Sequence, residues 1–286
     1  MKTGTIQWYP GHIAKAEKQL SRNLEKVDLV IEVRDARIPK STSHPHLEKW
    51  IKGKQHLLVI NRKDMICSEA LKAWDKWFRN EGHSPLWCNA KDGTGIKLLQ
   101  ETAIRTGAKL NARRHARGMK SRPVRALTLG FPNVGKSALI NRLVRKKVVM
   151  SSRKAGVTRA LRWVRVGQSL DLLDAPGVLP PRLDDQQAAL KLALCDDIGQ
   201  AAYDVELVAI SFLKLLHQLQ ARKDSGVPIE ILEQRYGIPF EIMDAERWLI
   251  RVAELHTSGE KRRMAQRLLD DFRKALLGHV SLELPA

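Results

Sequence analysis

Between Thr102 and Leu170 the chain contains no Asp or Glu, although that stretch holds 18 Lys and Arg. Such a segment reads as a solubilising surface around a phosphate pocket, or as a surface that meets a polyanion. RNA is favoured, while charge alone leaves DNA and an anionic membrane open. Cysteine is scarce too. Cys67, Cys88 and Cys195 are odd in number and far apart, which excludes a disulfide framework and a zinc pattern. No stretch approaches the roughly 18 consecutive apolar residues of a membrane helix, so no membrane span is expected. Met1 to Pro10 holds no apolar run of the signal-peptide kind. These absences predict a soluble protein of a reducing compartment. Internal repeats and low-complexity tracts are also missing.

What is present suffices for a core. The 286 residues are 43% hydrophobic, enough for two modest domains. The formal net charge of +19 is unevenly spread. Residues 1–101 carry 18 basic and 12 acidic groups, whereas residues 182–286 carry 14 and 17. The excess therefore lies in the middle of the chain.

That middle contains the most specific motif. Gly130 to Ser137 reads Gly-Phe-Pro-Asn-Val-Gly-Lys-Ser, the spacing G-x-x-x-x-G-K-[ST] of a phosphate-binding P-loop. Arg125 to Leu129 reads as a buried strand and Ala138 to Leu143 as the helix behind the loop. Glycines let the backbone curl close to phosphates, and the curl's amides with the helix N-terminus form an anion site. Asn133, Val134, Gly135, Lys136, Ser137 and Ala138 are the expected nucleotide contacts. Lys136 would reach the β- and γ-phosphates, and the Ser137 hydroxyl would hold Mg²⁺.

Around this loop the pattern alternates. Strands are expected at Val27–Val33, Leu57–Ile60, Pro85–Cys88, Arg162–Val166 and Leu170–Leu173. Helices are expected at Ile13–Leu24, Leu47–Ile51, Cys67–Asn80 and Ile96–Ile104. Ala108 to Arg122 reads as a basic connector and Val148 to Thr158 as a loop. This is an α/β class: a mainly parallel sheet with helices on both faces. After about residue 183 only helical spacing remains, at Gln186–Leu194, Val205–Gln220, Ile229–Tyr236, Ile242–His256 and Arg262–Leu277. The expected division is an α/β domain over residues 1–181 and an all-α domain over residues 182–286.

Three weaker motifs gain weight from their company. Asp174-x-x-Gly177 follows a strand beyond the P-loop. Asp174 would support Mg²⁺ through water, and the Gly177 amide would contact the γ-phosphate. Thr158, between the two, would complete the Mg²⁺ shell. Asn61-Arg62-Lys63-Asp64 also follows a strand, and the Asp64 carboxylate matches the two N–H donors on guanine's Watson–Crick edge. Asn89-Ala90-Lys91 would set the Ala90 amide near guanine O6 and the Lys91 stem against the ring. Together these are the GTPase motifs, but the guanine-reading elements come first. Joining the old termini and opening the chain elsewhere produces that order, a circular permutation. In Ras-like enzymes a glutamine just after Asp-x-x-Gly orients the attacking water. Val178 stands there and cannot, so slow intrinsic turnover is expected.

Trp8-Tyr9-Pro10-Gly11-His12-Ile13-Ala14-Lys15-Ala16, Asp35-Ala36-Arg37-Ile38-Pro39 and the P-loop resemble the YlqF/YawG family of circularly permuted GTPases. The likeness covers nearly the whole chain and is specific through residue 181. It implies a circularly permuted P-loop GTPase domain with a C-terminal all-α domain. It also implies GTP and GDP as ligands, Mg²⁺ as cofactor, and GTP hydrolysis as the reaction. The implied partner is the large ribosomal subunit in late assembly, with the helical tail docking on rRNA and the protein acting as a monomer. By the same resemblance His12 swings towards the γ-phosphate, and Asn133 binds an activating K⁺. One departure concerns the guanine motif: the family's usual Asn-Lys-x-Asp is Asn61-Arg62-Lys63-Asp64 here, so Arg62 must do the packing of the usual lysine. Two alternatives stay open, a GTP-dependent RNA-binding scaffold with little hydrolysis and a K⁺-activated GTPase acting on another RNA such as tRNA.

Overall fold

The structure is a computed structural model that describes residues 6, 20, 22–149, 161–180, 184–227, 229–240 and 245–285. Six strands form one sheet: β1 (Leu29–Asp35), β2 (Gln55–Asn61), β3 (Leu86–Trp87), β4 (Val124–Leu129), β5 (Arg162–Val166) and β6 (Leu170–Asp174). Their order is β3-β2-β1-β4-β6-β5. All pairs are parallel except β5 with β6, which form an antiparallel edge hairpin. β1 and β4 lie at the centre and are buried along almost their whole length, because both faces of a parallel sheet are covered.

The helices of the sheet region are α1 (Leu47–Ile51), α2 (Ser68–Asn80), α3 (Ile96–His115) and α4 (Lys136–Val144). Alternate strand residues point to opposite faces. Ile31, Val33 and Ala126 share a cluster with Leu99, Ala103, Leu139 and Ile140, so α3 and α4 cover one face. Val30, Leu127 and Leu173 pack with Leu20, Leu24 and Trp50 on the other. Beside them α2 buries Trp74 and Phe78 over Leu58 and Ile60. The aromatic stripe of α2 is therefore core. Most of the helix expected over Ile13–Leu24, and of the loop expected over Val148–Thr158, lies outside the described residues.

One expectation is corrected. The stretch Ala108 to Arg122 is not a connector throughout, since α3 continues to His115. Ala, Leu, Lys and Arg are good helix formers, and Gly107, just before that run, sits where the helix presses on β4. A Cβ at Gly107 would collide with the Val124 side chain.

Beyond residue 183 the structure is helical: α5 (Gln186–Leu194), α6 (Val205–Gln220), α7 (Ile229–Tyr236), α8 (Ala245–Thr257) and α9 (Lys261–Arg273). Asp185 and Asp204 cap α5 and α6 by accepting from the first free backbone amides. Phe212, Tyr236 and Phe272 belong to the same apolar cluster as the sheet residues Leu29 and Ile31. The chain end then returns to the loop after β1. Leu282 N donates to Arg37 O at 3.0 Å, and Trp74 Nε1 donates to Glu283 O at 3.0 Å.

Candidate nucleotide site

The C-terminal ends of β3, β2, β1, β4 and β6 lie side by side, and the expected motifs follow from four of them. From β4 the chain turns through residues 130–135 into α4. Gly135 has φ +99°, and a Cβ there would run into the Asn61 amide. Gly177 packs on the same loop, where a Cβ would come within 2.5 Å of Pro132. The Lys136 ammonium is buried and donates to the carbonyls of Gly130 (3.1 Å) and Phe131 (2.7 Å). Burial pulls its pKa down to about 8, against the opposing pull of the Asp174 and Asp197 carboxylates.

Asp174 closes β6 beside Thr128 of β4. The Ser137 hydroxyl donates to Asp174 Oδ2 at 3.4 Å. Burial pushes the Asp174 carboxyl up, while Lys136 and Ser137 pull it down. Among the described residues, its buried Oδ1 has no hydrogen-bond partner. Ala138 follows in the first turn of α4.

The guanine-reading motifs meet this loop through one side chain. Asn61 Nδ2 donates to Val134 O at 2.9 Å, and Asn61 Oδ1 accepts from Ala90 N at 3.1 Å. Arg62 adopts the left-handed φ of 61°. Its Nη2 donates to Asn133 O at 2.7 Å, and its Nε lies 3.4 Å from Asp35 Oδ2. Lys63 N donates to Cys88 O at 3.2 Å. Asp64 is exposed in a 3₁₀ turn, Lys63–Met65. Asn89 orders its own turn, accepting from Lys91 N at 2.8 Å and donating to Asp92 Oδ2 at 2.8 Å. Of the expected site residues, His12 and Thr158 lie outside the described residues. The others are brought to this end of the sheet.

Two sets of contacts carry no sequence signal that assigns them. Arg142 of α4 donates to Ala90 O at 3.1 Å and also to Lys91 O, tying the second guanine turn to the P-loop helix. No motif spacing marks it. Asn133 Nδ2 donates to Asp196 O at 2.6 Å, which joins the P-loop to the chain just after α5. Close by, Arg37 grips Asp35 through two bonds (3.0 and 2.7 Å) and also donates to Cys195 O at 3.2 Å.

A family model described as "50S ribosome-binding GTPase" matches residues 125–232. The chain is 34% identical over 285 residues to "Ribosome biogenesis GTPase A" of Bacillus licheniformis, covering 98% of both chains. It is 37% identical over 242 residues to the protein of that name from Bacillus cereus, covering 84% of this chain and 79% of the other. The chain belongs to the ribosome biogenesis GTPase A family. Its fold also matches the solved structure titled "Crystal structure of GNP-bound YlqF from T. maritima". The TM-score is 0.60 at 23% identity, over 95% of this chain and 98% of that one. A ribosome biogenesis GTPase A is a GTP-hydrolysing enzyme, so the order of motifs in this chain is that of a circularly permuted GTPase. P-loop GTPases generally use Mg²⁺, and the residues present fit it. A hydroxyl and a carboxylate with one orphaned oxygen stand together at the helix N-terminus. Among the described residues no cluster of three or more His, Cys, Asp or Glu could hold a metal alone. No described helix is long and apolar enough to cross a membrane.

Proposed function

We propose that this chain is a GTP-driven switch in late maturation of the large (50S) ribosomal subunit, binding rRNA as a cytoplasmic monomer. The observation that carries the reading is Asn61, one side chain bonded both to the P-loop and to the 89–91 turn. GTP would lie across that join. Asp64 would accept from the guanine edge, with the Ala90 amide near O6 and the Lys91 stem against the ring. The amides of Asn133, Val134, Gly135, Ser137 and Ala138 would cradle the phosphates, with the Gly177 amide at the γ-phosphate. Lys136 would exchange two loop carbonyls for phosphate oxygens. Bound Mg²⁺, held by Ser137, by Thr158 and through water by Asp174, would neutralise charge on those oxygens.

The position of an orienting glutamine is filled by Val178, which is buried and apolar. Help with the attacking water must come from elsewhere. His12 is assigned that role, with K⁺ at Asn133 as activating cation and the ribosomal subunit as stimulator. Residues 1–181 form the GTPase unit, and residues 182–286 form a helical unit that docks on the ribosome.

Turnover measured with and without large subunits, in K⁺ and then in Na⁺, tests this. Subunits should accelerate hydrolysis and Na⁺ should slow it; an unchanged rate in both comparisons rejects the switch. His12→Ala should keep GTP affinity and lose the stimulation. Asp64→Asn should shift preference from guanosine to xanthosine triphosphate, and a variant that still prefers GTP removes Asp64 from base reading.

A further inference from the structure

Helix α3 has two unlike faces. Ile96, Leu99 and Ala103 are buried against the sheet. The outer face changes character midway. Its first turns carry an ordinary Lys97–Glu101 pair at 3.9 Å. Beyond Glu101 the carboxylates stop. Arg105, Lys109, Arg113 and, just past the helix end, Arg117 follow at four-residue intervals, all exposed. A rise of 1.5 Å per residue strings them along a track of about 18 Å. Like charges spaced i,i+4 cost a helix about 0.2–0.5 kcal/mol per pair, so the stripe burdens the fold. Among the described residues neither these four nor Lys120 forms an ion pair.

The turn after the helix is built rather than loose. Met119 N donates to Arg114 O at 3.0 Å, and Arg114 Nε donates to Lys120 O at 3.1 Å. Asn111 and Arg122 exchange two bonds, of 2.9 and 3.2 Å. A cleft of about 290 Å³ opens beside Arg113, Arg114, Arg117 and Met119. The acidic residue lining it, Asp28, is neutralised by two bonds from Arg122, of 2.7 and 2.8 Å. The cleft therefore stays cationic. It lies at the wrong end of the sheet for GTP, because Arg122 precedes β4 and the P-loop follows it. Six strand residues put roughly 20 Å between them.

We infer that the outer face of α3 and its following turn is an RNA-binding surface that takes the sugar-phosphate backbone without reading sequence. The inference rests on the ribosome-assembly reading and assigns the electrostatic share of rRNA binding to this face. The helical unit, with 17 acidic and 14 basic groups in residues 182–286, is the poorer match to a polyanion. An anionic membrane fits less well. A helix lying on a bilayer inserts an apolar face, and that of α3 is already buried.

The test compares Lys109→Gln/Arg113→Gln/Arg117→Gln/Lys120→Gln with a control of four exposed lysines on and beside α1 and α2, Lys49→Gln/Lys52→Gln/Lys72→Gln/Lys76→Gln, in the full chain. Binding to a mixed-sequence duplex RNA, to single-stranded RNA and to phosphatidylserine vesicles is measured between about 50 and 200 mM salt. The α3 variant should lose about 3 from the slope of log K against log salt, each phosphate contact contributing about 0.7–0.9, while the control stays near wild type. Its thermal midpoint should match or exceed wild type, since repulsion is relieved. An unchanged slope with wild-type binding intact overturns this assignment alone. An equal fall in the control, or a loss confined to vesicles, also overturns it. Wild-type protein that binds no RNA overturns the ribosome reading as well.

Discussion

His44 shows how one side chain ties acid stability to the loop after β1. It is buried, its ring centroid lies 4.2 Å from that of Trp50, and its Nε2 has no hydrogen-bond partner among the described residues. Burial, helped by the nearby His46, pulls its pKa from 6.5 to about 4. The unfolded chain therefore binds a proton near pH 6.5 that the folded chain refuses. Stability is full above that value and falls as pH drops towards 4. By pH 5 the loss should be about 2 kcal/mol. Urea midpoints at pH 7 and pH 5 measure it, and His44→Leu should remove that share of the acid dependence. An equal acid loss in the variant shows that His44 is charged in the fold.

At the scale of elements, the packing of α3 on β4 is decided by an absent side chain. Gly→Ala inside a helix normally stabilises by about 0.5–1 kcal/mol. At Gly107 the sign should reverse, because the new methyl meets Val124. Gly107→Ala should cost about 1–3 kcal/mol, the usual range for overpacking. Val124→Ala in the same chain should recover part of it. Denaturant unfolding of the two single variants and the double variant supplies the coupling, and strict additivity would remove the contact. This glycine is also why the sequence suggests a connector where a helix runs. Periodicity weakens at Gly107, and the arginine-rich half of α3 has little apolar face of its own.

Over the whole molecule, the link between sheet and helices is a buried charged pair. Arg37 and Asp35 are both fully buried, and Arg37 reaches across to Cys195 O. Asp197 is buried beside them with both carboxylate oxygens unpartnered among the described residues, and burial pushes its carboxyl well up. Removing Arg37 leaves the buried Asp35 carboxylate with only the partly exposed Arg62, 3.4 Å away, as counter-charge among the described residues. Arg37→Met should cost about 3–5 kcal/mol, and Asp35→Leu/Arg37→Met should cost less than that single change. The apolar cluster runs without a break from Leu29 to Leu282, so unfolding should occur in one transition. A separate early loss of the helical signal would contradict that continuity.

The sequence by itself determined the P-loop, its rotated partner motifs, and the class of nearly every element. Those features depend on neighbours a few residues apart: glycine spacing, strand-end Asn and Asp, helical and strand periods. Only the tertiary structure decided that Asn61 bonds both Val134 and Ala90, that Arg142 holds the second guanine turn, and that Asn133 reaches Asp196. Each of those contacts joins residues 29 to 73 positions apart. A partner at that separation is selected by how helices pack on a sheet, and no local pattern in the chain encodes it.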